Sequence, residues 1–175
     1  MVESRSVPMP RFAPDTFVER LRELRGKLER GYKISARGSH YVASTGQCAA
    51  TALVVQLASG GRLISTTING TSHWFNRIIV GTSAYDVDLT GDQFGFDAVR
   101  VAPANLLHTA TRIRPLADVH AETIARAVQL ARRSGLQAVA DALPLEIQAL
   151  QRLLQSADHP ERCHIAERRG EDECH

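Results

Sequence analysis

The segment CAATALVVQLAS, residues 48–59, is apolar almost all the way round, and the pair Gly60–Gly61 stops it. A surface helix keeps a polar stripe, so a helix with none must be buried. Directly afterwards the sequence changes period. RLISTTI, SHWFNRIIV and AYDVDLT are short runs rich in β-branched and aromatic residues. Asn69–Gly70 divides the first two, and this dipeptide suits a type I′ turn, which needs positive φ at both central residues. GTS at 81–83 divides the second and third. The pattern predicts a buried helix followed by a three-stranded antiparallel meander, from about Cys48 to Thr90.

Helices are expected on both sides of this unit. DTFVERLRELRGKLERG sets Phe17, Leu21, Leu24 and Leu28 at helical spacing, with Asp15 as N-cap and Gly31 as stop. YKISARGSHYVASTGQ reads as a polar connector, and AVRVA, after GDQFGFD, as a short strand. Beyond Pro115, ADVHAETIARAVQLARRSG and LPLEIQALQRLLQSAD return to three- and four-residue spacing. The expected organisation is a flexible arm at 1–13, an α+β core at 14–115, a helical extension packed on it at 116–157, and a mobile polar tail at 158–175.

Charge and composition exclude several classes. A net charge of +2 with scattered arginines and no aromatic platform argues against nucleic acid. No run has the length of a membrane span, and MVESRSVPMPRFAP lacks the apolar stretch of a signal peptide. With three cysteines besides, a reducing, cytoplasmic setting is expected. Glycine patterns for phosphates are missing, since ASGGR ends a helix instead of opening one. Cys163–His164 and Cys174–His175 lack the spacing of a zinc finger, and Ser39–His40 has no acidic partner nearby, so neither a metal nor another cofactor is expected.

Cys48 opens the buried helix, where the positive end of the dipole favours a thiolate. His73 starts the second strand of the meander, and Asp88 nearly ends the third. With a turn centred on 81–82, position 73 falls opposite 90, and Asp88 lies one diagonal step away on the same face. Asp86 shares that parity and is the alternative carboxylate. Imidazole can take the thiol proton, thiolate can attack a carbonyl carbon, and carboxylate can fix the ring's tautomer. Backbone N–H groups at the helix start could face an oxyanion, with Gln47 as an added donor and Asn76 and Gln93 as supporting amides. Taken singly, each residue has an ordinary structural use: Cys48 as a small packed side chain, His73 bonded to backbone, Asp88 capping a turn.

GQCAATALVVQLASGGRLISTTING, SHWFNRI and YDVDLTGDQF resemble the bacterial YunG-like family, with its GQC-x-x-TAL helix, double glycine, H-x-x-N strand and D-x-T-x-x-QF segment. The likeness covers roughly residues 40–96. The order Cys on a helix, His on a strand, Asp on the next strand is similar to the papain-like superfamily, which includes transglutaminase-like proteins and glutamine deamidases. That resemblance implies Cys48 as nucleophile, His73 as base and Asp88 as orienter. It supplies no substrate. The expected fold is therefore α+β, a papain-like core of one buried helix on an antiparallel meander. The expected function is a cysteine hydrolase or acyltransferase acting on an amide, in a peptide, a protein or a smaller compound. The alternatives are an inactive papain-like module that binds a protein partner and, with less support, a redox-sensing cysteine.

Overall fold

Asn69 and Gly70 have φ of 49° and 77°, both positive as the type I′ turn requires, and the hairpin they close lies at the centre of the fold. The computed structural model describes residues 13–35 and 42–157. In chain order the elements are α1 (Asp15–Ser35), α2 (Cys48–Ser59), β1 (Arg62–Ile68), β2 (Thr71–Val80), β3 (Ser83–Asp88), β4 (Arg100–Pro103), β5 (Arg112–Arg114), α3 (Ala121–Arg133) and α4 (Gln137–Ala157). Two 3₁₀ turns, Gly91–Phe94 and Leu116–Asp118, complete them. The sheet is antiparallel throughout, in the order β4-β3-β2-β1-β5.

The architecture is thus α+β, with the expected helix and meander in place. AVRVA supplies β4. The sequence reading has no counterpart for β5, whose three residues Arg-Ile-Arg are too few to show alternation; pairing with the open edge of β1 holds it. Strand alternation sorts the side chains. Trp74, Asn76 and Ile78 of β2 share a face with Tyr85 and Val87 of β3, and α2 packs on β2 here. His73, Phe75 and Arg77 share the other face with Asp86 and Asp88.

Leu53 and Val54 of α2 are fully buried and belong to one hydrophobic cluster with Leu21 and Leu28 of α1, Leu63 and Ile78 of the sheet, Leu130 of α3 and Leu143 of α4. Two polar contacts lie inside it. Tyr32 Oη and Thr51 Oγ1 are 2.5 Å apart, and the Asn76 amide donates to the Ala52 carbonyl at 2.9 Å, fastening α2 to β2. Asp88 on β3 carries the sheet's other face towards the site.

Helix boundaries differ from the sequence expectation. Asp15, expected as a cap, is the first helical residue of α1, and the helix runs through Gly31 to Ser35. Tyr32, placed in the connector by sequence, is therefore a buried helical residue. Gly31 lies where α1 meets α3: an added Cβ would collide with the Ser134 hydroxyl and come within 3.0 Å of Leu130 Cδ1. Its small size serves close helix packing, not termination. Likewise α4 starts at Gln137, before the expected Leu143, and contains Pro144. Buried Ala140 and Leu143 hold the turn ahead of the proline in the core, which offsets the one lost N–H bond.

No helix among the described residues is long and apolar enough to cross a membrane. Residues 1–12 of the expected 1–13 arm, Ser39–His40 and the tail with Cys163 and Cys174 lie outside the described residues.

Gly31→Val should lower stability by about 1–3 kcal/mol through overpacking of the α1–α3 contact. Urea unfolding measures this; an unchanged midpoint would show that the contact has room.

Candidate active site

The turn before α2 is tied from three sides. Ser44 Oγ donates to Asp92 Oδ1 at 2.5 Å, and Arg25 Nη2 of α1 donates to Asp92 Oδ2 at 2.6 Å. The Gly46 N–H donates to Gln93 Oε1 at 3.3 Å, while Arg126 of α3 donates to the Gly46 carbonyl at 3.3 Å. These bonds fix where the chain enters α2, and so where Cys48 stands.

Cys48 is half-buried and its thiol is free. Burial pushes its pKa up, but hydrogen bonds from His73 and from the backbone N–H groups of Trp74 and Ala49, with the charge of His73, outweigh this and leave it below the ordinary value. His73 is fully buried, and its Nε2 lies 2.9 Å from Asp88 Oδ2. That leaves Nδ1 as the nitrogen for the thiol. Burial alone would depress the imidazole; the bonds to Asp88 and Cys48 and their charges raise it to about 9. Phe94 packs edge-on to the ring at 4.9 Å and Phe75 stacks at 6.2 Å, which holds the imidazole in plane with its partners.

Asp88 is also fully buried. Its Oδ1 accepts the Thr90 N–H at 2.9 Å. Nε2 of His108 stands 3.8 Å from Oδ2, too far for a hydrogen bond but near enough to favour a carboxylate, and Arg100 Nη1 is 4.0 Å away. Burial pushes the Asp88 carboxyl up, but His108, His73 and the Thr90 N–H together hold it well below the usual carboxylate range.

The structure therefore brings together Cys48, His73 and Asp88. The register runs as the turn chemistry implies: Asn76 pairs with Val87 and Arg77 with Asp86, which carries position 73 opposite 90. Asp86, the alternative carboxylate, is committed elsewhere. Its oxygens accept two bonds from Arg77, at 2.7 and 3.2 Å, and the Asn105 N–H at 2.7 Å. Gln93 joins the site: its Nε2 donates to the Thr90 carbonyl at 3.0 Å and lies 3.5 Å from His73 Nδ1. Asn76 acts at one remove, through α2. Gln47 caps α2 without a side-chain capping bond, so its amide is uncommitted by the helix.

Several contributors escaped the sequence reading. His108 sits in a loop without periodicity, and Arg25, Ser44 and Arg126 look like ordinary surface residues. Asp92 had a signal, inside the D-x-T-x-x-QF segment, whose Asp88, Thr90, Gln93 and Phe94 all surround His73. His73, Asp88 and His108 also have ligand atoms within 4.8 Å of one another, the span of a metal chelate. An ion there would have to displace the direct His73–Asp88 hydrogen bond.

The pKa directions fix a pH profile. Imidazolium stabilises thiolate, so the pair coexists from the lowered thiol value up to about pH 9, where His73 loses its proton. Iodoacetamide should alkylate Cys48 well below pH ~8.5, the range of an ordinary thiol. In His73→Ala the cation and its hydrogen bond are gone, so the profile should move to higher pH. Peptide mass spectrometry reads both; superimposed profiles would refute the pairing. Stability follows the same signs. The contribution of His73 is complete below pH 6.5 and lost as the pH rises through about 9, whereas that of Asp88 is present above pH 3.8 and lost on further acidification. Unfolding by urea should be hardest between those limits.

Comparisons with curated proteins and with solved structures return no match. The model of one protein family, described as YunG protein, matches residues 33–129, which include α2, the whole sheet and every residue of the Cys48–His73–Asp88 group. The chain belongs to the YunG protein family.

Proposed function

We propose that the protein is a cysteine-dependent hydrolase or acyltransferase acting on an amide, with a papain-like arrangement of Cys48, His73 and Asp88. One observation carries this: a thiol at the N-terminus of a buried helix is hydrogen-bonded to an imidazole whose other nitrogen is held at 2.9 Å by a buried carboxylate. A packed structural cysteine needs neither partner.

The chemistry follows from the protonation states. Cys48 Sγ, as thiolate, attacks the amide carbon, and the carbonyl π pair moves to oxygen. The first N–H groups of a helix have no intrahelical acceptor, so those at the start of α2 can serve the oxyanion, and the Gln47 amide can supplement them. The oxyanion then collapses, the C–N bond breaks, and His73 Nδ1–H gives its proton to the leaving amine. A thioester on Cys48 remains. Neutral His73 next takes a proton from water, whose oxygen attacks the thioester; the acid leaves and the Cys48–His73 ion pair returns. An amine in place of water gives acyl transfer, and water, always present, favours hydrolysis. Asp88 holds Nε2–H throughout and stabilises the imidazolium.

The test is turnover of a pool of peptides and small amides, followed by intact-protein mass spectrometry. An acyl adduct should appear on Cys48 and be released by hydroxylamine. His73→Ala and Asp88→Asn should slow turnover by roughly 10³- to 10⁴-fold. A Cys48 that alkylates at low pH yet never acylates would defeat the proposal and favour a binding module.

A further inference from the structure

Strands β1 and β2 continue past the N-terminus of α2, and β5 runs beside them, Arg112 level with Ser65 and Trp74 and Arg114 level with Leu63 and Asn76. Alternation puts Ser72, Trp74 and Asn76 of β2, Ser65 and Thr67 of β1, and Arg112 and Arg114 of β5 on the face that carries the helix. Asn76 lies under α2, bonded to Ala52. Two residues along, the Trp74 backbone N–H meets the Cys48 thiol. Two residues further, about 7 Å along the strand, Ser72 and Thr67 face each other in the open.

At this place the surface folds into a cavity of about 270 Å³ lined by the Ser and Thr hydroxyls together with Arg112 and Arg114. Among the described residues no carboxylate lines it. The Arg114 guanidinium lies over the Trp74 ring at 5.1 Å, and its Nε is buried with no hydrogen-bond partner among the described residues. Among the described residues neither arginine has a carboxylate within ion-pair distance. A buried donor without an acceptor is costly, and a guanidinium fork matches a carboxylate in shape and charge. Trp74 links the two places: its backbone serves the thiol and its ring carries Arg114.

We infer that this cavity binds a carboxylate of the substrate, so that the amide cleaved at Cys48 belongs to an acidic compound whose carboxylate lies across Trp74 from the scissile carbonyl. The inference rests on Cys48 being the nucleophile of the proposed reaction.

Two alkylating probes separate the inference from that foundation. N-Iodoacetyl-β-alanine carries a carboxylate beyond its amide, and its carboxamide is neutral. With either, the Cys48 thiolate forms the S–C bond and iodide leaves with the C–I electron pair. The neutral probe reports the thiolate alone. In the wild type the acidic probe should react faster and saturate with concentration. Arg112→Gln and Arg114→Gln should each lower the acidic-to-neutral rate ratio by roughly three- to tenfold; the neutral rate normalises any change in the thiolate itself. Arg112 is exposed, so its variant keeps the test sound even if Arg114, packed on Trp74, is needed for folding. Protection of Cys48 by acetyl-Ala-Ala, lost in its amide, would place the carboxylate at a chain end. Protection by acetyl-Ala-Glu-Ala-amide would place it on a side chain. A ratio untouched by both substitutions overturns the inference while a reactive Cys48 stands. A Cys48 inert to both probes removes the reaction beneath it.

Discussion

A carboxylate with no exposed surface must be compensated where it stands, and Asp88 sets that demand for the whole site. Thr90 answers one oxygen and His73 the other, with His108 and Arg100 close behind. The compensation fixes more than a charge. Because Nε2 of His73 is held, the ring cannot turn, and Nδ1 is left for the thiol. Removing His73 would leave a buried anion short of its main partner, so the same bond that orders the site also stabilises the fold. Gly91 belongs to this arrangement as well: a Cβ there would come within 3.1 Å of Asp88 Oδ2 and 3.0 Å of Arg100 Cδ.

The thiol is placed by a different set of forces. The position of α2 is set from below by the Asn76–Ala52 bond and from the side by Tyr32 and Thr51. Its entry turn is held by Asp92, which joins Ser44 to Arg25, and by Arg126. α1 and α3 therefore reach the site without contributing a reacting atom. Their apolar faces join the common core while Arg126 of α3 reaches the turn before Cys48 directly and Arg25 of α1 reaches it through Asp92, which accounts for helices on both sides of the meander.

What could be read in the sequence was whatever local chemistry decides. Asn69–Gly70 fixed one hairpin, the 81–82 turn fixed the next, and two fixed turns set the register that sends His73 towards Asp88 and not Asp86. Alternation could not choose between those carboxylates by itself, since both lie on one face; Arg77, directly across from Asp86, makes the difference. The hidden features depend on tertiary contact. Gly31 looks like a helix stop until α3 is laid against it, Pro144 looks like a helix start until Ala140 and Leu143 are seen in the core, and β5 exists because β1 has a free edge. His108 and Arg25 carry no local pattern at all, because their partners lie in distant parts of the chain.

The two halves of the site also constrain each other electrostatically. His73 as imidazolium, the N-terminus of α2, Arg112 and Arg114 all present positive charge to the region around Cys48, while Asp88, the local anion, is buried and already matched by cations. A thiolate is therefore the only negative group the region itself supplies on the open side, among the residues named. An approaching carboxylate would be attracted by the arginines, yet repelled by the thiolate if it came too near the sulfur. The sheet offers a way round the conflict: β1 stands between Trp74 on β2 and the arginines on β5, so an anion held as proposed would keep clear of the sulfur and leave the thiolate its charge.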